Sequence, residues 1–470
     1  MFSWFTKSSE NGDVTQKVRQ LGATENILMH TSRKCQGYMK FGEVLHLNGP
    51  VISLEALAKA INCLQRRHPI LRSRLQMNSQ KPNSYLLEED ETVQLKIQEI
   101  PRKRADHKTF WQEEWRKREK QSTEIGEGVA EFVILQDPDD ANDENSPREI
   151  IIICEHSVSD GLSLSTVAHE LLIALTDKDS SLFADSLPWP ITMEEAIRNT
   201  VGFANRIISL SRVMFSAMYN RATNKSKTGR IPISTVDFPL ADMENHCHSA
   251  MSYAILNKDE THKLIENCRQ VGVTVTSAVC SAILYALSIS IPKEDGQTTA
   301  LSFSIGADTR RRCIPSIPNH DLTYHVSGML PFVLPVNDVP TTNEGMWQLA
   351  KNFRQHMEKC IDAGQVLALG AIMAKLYEKA LTSQDVSQLP SAGVSSWGLL
   401  PFQEQYGQWK LEGMSPIVNT IRSIFPFTTI QTVNGVLTIM FIGNDPLIPI
   451  TILDKLRDDT LQKLHEMIQN

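Results

Sequence analysis

The feature that most constrains this chain is an apolar run that stops at a histidine and is followed at once by an amphipathic helix. Residues 149–155 read EIIIICE, which is typical of a buried β-strand. Residues 156–161 (HSVSDG) come next, and apolar side chains then recur at helical spacing over residues 164–175. The pattern predicts a strand, a tight turn and a helix, with His156 held at the strand end.

The residues of this turn have useful chemistry. A neutral imidazole such as that of His156 can accept a proton near neutral pH. The carboxylate of Asp160 can cap the helix or pair with an arginine, and Gly161 leaves room for a ligand to approach. A structural role stays open, because a histidine at a strand end commonly serves packing and Asp-Gly is common in turns.

Composition excludes several classes of protein. The 470 residues are 41% hydrophobic and 21% charged, which is ordinary for a globular chain and unlike a disordered one. A net charge of −7 argues against a dedicated nucleic-acid binder. Eight cysteines without CxxC spacing argue against structural zinc and favour a reducing compartment, so we expect a cytoplasmic protein. No apolar run reaches the ~20 residues that a membrane span needs, so we expect no stable insertion, although Met1–Thr6 could touch a membrane surface.

Strand and helix patterns alternate in both halves of the chain. They predict an α/β fold with mixed, mostly antiparallel sheets, and one long helix over 193–219 with an apolar face. Asn434-Gly435 predicts a hairpin. A basic linker at 222–230 divides the chain, so we predict an N-terminal lobe at 1–225 and a C-terminal lobe at 226–470.

Other candidate sites are weaker. Serines surround His156, but the chain has no Gly-x-Ser-x-Gly elbow of a serine hydrolase. His246-Cys247-His248 alternates faces on a predicted strand, so these residues cannot easily share one ion, and we expect no metal site. We expect the arginines at 310–312 to join a structural salt-bridge network rather than to clamp a phosphate.

Several motifs, in order along the chain, resemble the chloramphenicol acetyltransferase-like superfamily. This group includes peptide-synthetase condensation domains, plant BAHD acyltransferases, fungal alcohol acetyltransferases and mycobacterial polyketide-associated acyltransferases. The resemblance runs over roughly residues 20 to 465. The segments that carry it are LGATE at 21–25, RHPILR at 67–72, HSVSDG at 156–161, GADTRRR at 306–312, VSG at 326–328 and SSWG at 395–398.

The resemblance implies two lobes with a tunnel between them and His156 facing the tunnel. It implies direct transfer of an acyl group from a thioester to a hydroxyl or amine, with His156 as general base and no resident cofactor. By the same likeness, the backbone of Gly161 and the side chain of Ser395 or Ser396 would stabilise the oxyanion. Asp160 would form a structural salt bridge with Arg72 or, as second choice, Arg311.

Departures from the family patterns narrow the expectation. Condensation domains usually carry two histidines before x-x-x-Asp-Gly, whereas Glu155 stands in the first position here. We therefore expect a monomeric, acyl-CoA-dependent O-acyltransferase acting on a small-molecule alcohol or amine. Two alternatives remain: a non-catalytic protein that binds lipid or coenzyme A on the same scaffold, and a condensation-type amide or ester synthase with a carrier-protein donor.

Overall fold

The structure is a computed structural model that describes residues 17–141, 143–176, 180–223, 226–292, 299–382 and 389–469. Its helices are α1 (Ala23–Lys34), α2 (Leu54–Arg67), α3 (Phe110–Arg118), α4 (Gly161–Leu175), α5 (Met193–Thr200), α6 (Phe203–Thr223), α7 (Met243–His246), α8 (Lys258–Val271), α9 (Val275–Ser290), α10 (Asn343–Asp362), α11 (Gln365–Gly370), α12 (Met373–Thr382) and α13 (Ile450–Gln469). Met1–Thr6, with its predicted membrane contact, lies outside the described residues.

The strands build two large sheets and a small one. In chain order they are β1 (Val18–Gln20), β2 (Phe41–Asn48), β3 (Ser73–Met77), β4 (Tyr85–Glu89), β5 (Lys96–Pro101), β6 (Ala130–Gln136), β7 (Pro147–Cys154), β8 (Lys227–Thr228), β9 (His248–Leu256), β10 (Thr299–Asp308), β11 (Val326–Pro335), β12 (Ala392–Leu399), β13 (Gln405–Tyr406), β14 (Trp409–Val418), β15 (Phe427–Val433) and β16 (Val436–Asp445). The N-terminal sheet has the order β13-β14-β2-β7-β6-β5, and the C-terminal sheet has the order β11-β10-β12-β15-β16-β9 with β8 beside β10. The predicted mixed α/β class and the hairpin at Asn434-Gly435 are confirmed.

Strand β7 is apolar throughout because both of its faces are buried. Ile150 and Ile152 pack into the core under α2 and α4. Ile151 and Ile153 face the other way, into a cluster that includes Met440 of the C-terminal sheet. A strand covered on both sides has no polar face, which explains the uninterrupted run of isoleucines.

The C-terminal part of the chain contributes strands to both large sheets. Strand β14 pairs antiparallel with β2, and the indole Nε1 of Trp409 donates a hydrogen bond of 2.9 Å to the carbonyl oxygen of Pro50. Residues 405–418 therefore belong to the sheet of the N-terminal lobe, although the predicted division assigns 226–470 to the other lobe. Residues 224–225, at that division, lie outside the described part of the chain.

The prediction of one long helix over 193–219 is wrong in one respect, because the structure has two helices there, α5 and α6. Val201 takes an extended conformation at the end of α5, and the Gly202 carbonyl accepts the first hydrogen bond of α6. Glycine is a poor interior helix residue, so the break falls where the backbone is least restrained. The apolar face of the second piece lies largely outside the core.

No single helix in the described ranges is long and apolar enough to cross a membrane, and one bent pair, α8 with α9, passes by length and composition only.

Candidate active site

His156 follows the last residue of β7 by two positions and is half-buried. Its Nδ1 lies 2.8 Å from the carbonyl oxygen of Ser159, an acceptor that holds the ring proton on Nδ1. The neutral ring therefore carries its free lone pair on Nε2. Phe41 and Tyr324 pack against the imidazole at ring-centroid distances of 4.6 and 5.1 Å and restrict its orientation.

The surroundings of His156 favour the neutral imidazole. Burial lowers its pKa, and this effect outweighs the opposite influence of the hydrogen bond to Ser159 and of the Asp160 and Glu155 charges. The net pKa is below the ordinary value of 6.5, so the ring is a proton acceptor at neutral pH.

A cavity of about 430 Å³ lies beside this imidazole, between the two lobes. Its wall is mainly apolar and comes from both halves of the chain. The N-terminal half contributes Phe41, His156 and Gly161 among others, and the C-terminal half contributes parts of β10, β11, β12 and α12. A mainly apolar cavity with few polar groups beside a histidine is the arrangement expected of a small-molecule site.

Asp160 is turned away from the base and into the protein. Its Oδ1 accepts a hydrogen bond of 3.1 Å from the Ser163 backbone N–H and caps α4. Its Oδ2 accepts 2.7 Å from the Arg310 guanidinium and 2.9 Å from the His325 backbone N–H. Burial alone would raise the pKa of Asp160, but the Arg310 charge and these hydrogen bonds hold it below its usual value. The carboxylate joins the two lobes and is a structural group.

Both predicted arginine partners of Asp160 are wrong. Arg72 instead donates to Glu89 at 2.7 Å and to the carbonyl oxygens of Gln65 and Arg66. Arg311 is exposed. The partner is its neighbour Arg310, whose side chain is 1% exposed, because one turn of 3-10 helix over 310–312 sends successive side chains in different directions.

The two predicted oxyanion donors lie on strand β12, where neighbouring side chains point to opposite faces. Ser395 lines the same cavity as His156. Ser396 lies in the wall of a smaller adjacent space, and its hydroxyl is 2.8 Å from that of Thr276 on α9. Ser395 is therefore the serine whose position fits the predicted role.

Gly161 begins α4 directly under the indole of Trp397. A Cβ at this position would lie 2.3 Å from the indole Cε2, which is closer than atoms can pack. The Trp397 ring therefore occupies much of the space at Gly161 that we expected to be open to a ligand. The glycine still lines the cavity. Sequence reasoning placed Trp397 inside a motif but gave it no role.

A buried polar network behind the site was also missed. Glu25 of the LGATE motif receives two hydrogen bonds from Arg19, at 2.7 and 2.9 Å. The Thr323 hydroxyl donates to Glu25 at 2.6 Å, and the Thr323 carbonyl accepts from Arg310 at 2.9 Å. The network therefore connects the N-terminal motif to the Asp160–Arg310 pair. The motif was visible in the sequence, but Thr323 and Arg310 are distant from it along the chain.

The described residues contain no cluster of three or more His, Cys, Asp or Glu side chains that could hold a metal ion.

Comparisons with known proteins bear on the family and the fold of this chain. Residues 248–441 match the family model described as the C-terminus of phthiocerol/phthiodiolone dimycocerosyl transferase. No curated protein matches the chain in sequence.

Solved structures match over nearly the whole chain. Trichothecene 15-O-acetyltransferase from Fusarium sporotrichioides is similar with a TM-score of 0.74 and 12% identity, covering 98% of this chain and 97% of that one. Polyketide synthase associated protein 5 from Mycobacterium tuberculosis is similar with a TM-score of 0.66 and 16% identity, covering 96% and 99%. The epimerization domain from the third module of tyrocidine synthetase B has a TM-score of 0.66 and 12% identity, covering 98% of both chains.

The chain therefore has the two-lobed fold of the chloramphenicol acetyltransferase-like superfamily, as its motifs predicted. The matched family model is that of a dimycocerosyl transferase and the first of these structures is an O-acetyltransferase, so both relatives are named for acyl transfer.

Proposed function

We propose that this protein transfers an acyl group from a thioester, acyl-coenzyme A, to a hydroxyl acceptor, with His156 as the general base. The observation that carries the proposal is the geometry of His156. Its Nδ1 is engaged by the Ser159 carbonyl, its pKa is lowered by burial, and it lines the cavity between the lobes. A base that removes a proton from a bound alcohol needs these three properties.

In the proposed reaction, Nε2 of His156 takes the proton of the acceptor hydroxyl as its oxygen attacks the thioester carbonyl. The tetrahedral intermediate carries a negative oxygen, for which the Ser395 hydroxyl and the Gly161 backbone N–H are the candidate donors. When the carbon–sulfur bond breaks, the imidazolium returns its proton to the thiolate. The products are an ester and a free thiol, and no covalent acyl-enzyme is needed.

The shape of the site supports an apolar substrate. Most of the cavity wall is formed by aliphatic and aromatic side chains, which give an ester-forming acceptor or acyl chain a favourable environment. Holding both reactants beside one base raises the effective concentration of the reacting groups. Alcohols and acyl chains that fill about 430 Å³ are the substrates that we propose.

The choice of coenzyme A over a carrier-protein donor is also part of the proposal, as is a reducing, cytoplasmic setting. Glu155 occupies the position where condensation domains usually have a first histidine, and its carboxylate is buried and accepts from the Thr123 hydroxyl at 2.8 Å. The side chain of Glu155 therefore has a structural role. All eight cysteines are free, which suits a reducing compartment.

The test is release of free thiol from a panel of acyl-coenzyme A donors in the presence of a panel of alcohols. We expect wild-type turnover, and a loss of about 10²- to 10⁴-fold in kcat for His156→Ala, because general-base catalysis contributes that much. His262→Ala is the matched control, since His262 is exposed and pairs only with Glu266 on the same helix among the contacts described. Tight ligand binding without turnover in the wild type would contradict the proposal and favour a binding protein.

A further inference from the structure

Helix α6 presents an unusual outer surface. It has 21 residues and a length of about 30 Å. Seven of its large apolar or aromatic side chains are exposed, among them Phe203 and Phe215 at 72% and Met218 at 69%. The full set is Phe203, Ile207, Ile208, Met214, Phe215, Met218 and Tyr219. We call these residues the α6 outer face.

The α6 outer face is a continuous stripe and not a scatter of single residues. At about 100° per residue its members fall within an arc of roughly 160°, so they share one side of the helix. Val213 lies on the opposite side and is only 4% exposed, where α6 packs on α11. An exposed apolar stripe of this length on a soluble chain marks an interaction site.

The stretch of sequence that contains this helix carries charge of one sign only. Between residues 196 and 236 the chain has seven arginines and lysines and no aspartate or glutamate. They are Arg198, Arg206, Arg212, Arg221, Lys225, Lys227 and Arg230. The whole chain has a net charge of −7, so this excess of positive charge is local.

We infer that α6 docks on the surface of a membrane that contains anionic lipids. A helix with an apolar face of Phe, Met and Ile, flanked by basic residues, lies in the plane of the lipid interface, with its apolar face among the acyl chains. The basic residues are attracted to the negative lipid headgroups. A second copy of this chain fits less well, because pairing two such helices would bring two positively charged surfaces together.

The position of α6 connects this surface to the cavity. Its inner side packs on α11, and Leu369 of α11 lines the cavity beside His156. When the protein is docked through α6, its apolar cavity would thus lie close to the lipid. An apolar alcohol could enter the cavity from there. The docking does not depend on the proposed acyl transfer, and it is measured without substrate.

The experiment is co-sedimentation of the full chain with vesicles of phosphatidylcholine alone and of phosphatidylcholine with phosphatidylserine. We expect binding to the anionic vesicles, at least about tenfold weaker binding to the neutral ones, and weakening by added salt. The variant Phe203→Gln/Phe215→Gln/Met218→Gln should lower the partition coefficient more than about 100-fold, because each buried side chain of this size contributes roughly a factor of ten.

The matched control is Met77→Gln/Ile255→Gln, which removes apolar side chains that are 55% and 56% exposed on β3 and β9. It should bind vesicles like the wild type, and both variants should keep the wild-type turnover of water-soluble substrates and the wild-type Tm. Equal binding by the α6 variant would overturn the inference. So would a dimer in lipid-free solution that this variant dissociates, or vesicle binding that is lost when residues 1–16 are deleted.

Discussion

The two oxygens of Asp160 serve different contacts, and this division explains why an aspartate stands four residues after the proposed base. Oδ1 caps α4, and Oδ2 binds Arg310 and the His325 backbone across the boundary between the lobes. Both the carboxylate and the guanidinium are 1% exposed. A buried charge that loses its partner keeps the full cost of its desolvation, so this pair fixes how the loop after β7 sits.

At this scale we predict that Arg310→Ala and Asp160→Asn lower the free energy of unfolding by about 3–5 kcal/mol, the usual cost of breaking a buried ion pair. Arg311→Ala, one residue away, should change it by less than about 0.5 kcal/mol, since Arg311 is exposed. Urea denaturation measures the free energy of unfolding of all three variants. A cost for Arg311→Ala equal to that for Arg310→Ala would contradict the assignment of the partner.

The sequence predicted the residues of the turn but not their distant partners. His156, Asp160 and Gly161 are close in the chain, and strand and helix patterns place them together. Arg310 is 150 residues away from Asp160. Its segment has three consecutive arginines, and no periodic pattern tells which of them points inward from a single helical turn.

At the scale of elements, the contact between α4 and β12 defines one wall of the site. The first residue of α4 must be a glycine because the Trp397 indole lies against it. The indole also lines the cavity, so the tight fit sets the position of a surface that a substrate would touch. Packing at this density leaves no space for an added methyl group.

We therefore predict that Gly161→Ala destabilises the fold by about 1–3 kcal/mol, the usual cost of overpacking, and lowers kcat/KM. The measurement is thermal unfolding together with steady-state kinetics. Because the clash involves a single side chain, adding Trp397→Leu should recover much of the stability in a double-mutant cycle. Fully additive effects of the two substitutions would contradict a direct contact.

Regular elements were predictable where the residue pattern is strong. Helix α4 follows His156 where apolar side chains recur at helical spacing, and the β15–β16 hairpin turns at Asn434-Gly435. Strand β14 was missed, because Gly413 and Pro416 interrupt its pattern. Proline is tolerated near a sheet edge, and β13 covers only the first residues of β14 on the side away from β2.

At the scale of the whole molecule, the two lobes are tied together at several points. Strand β14 completes the N-terminal sheet, and the Asp160–Arg310 pair crosses the boundary between the lobes. The spacing of the walls of the cavity between them is therefore fixed by hydrogen bonds and by an ion pair. The basic linker at 222–230 and the family resemblance predicted two lobes, but pairing between strands that are distant in sequence cannot be read from local periodicity.

The distribution of charge is also a property of the whole molecule. An acidic molecule that carries one basic, apolar helix is oriented by an anionic surface. The sequence showed that the second part of the 193–219 segment is amphipathic, and a buried face was the simple expectation. Burial is decided by neighbouring elements, and only the structure shows that α6 keeps its apolar side outward.

The most direct test of the central claim is the pH dependence of kcat/KM for thiol release, measured for the wild type and for His156→Ala. A general base must be unprotonated in the free enzyme, and burial lowers the pKa of His156 from 6.5. The wild type should keep its activity as the pH falls to 6.5 and lose it only at lower pH, and the residual activity of His156→Ala should lack this acid limb. An acid limb with its midpoint above 6.5, or the same limb in both proteins, would contradict His156 as the base.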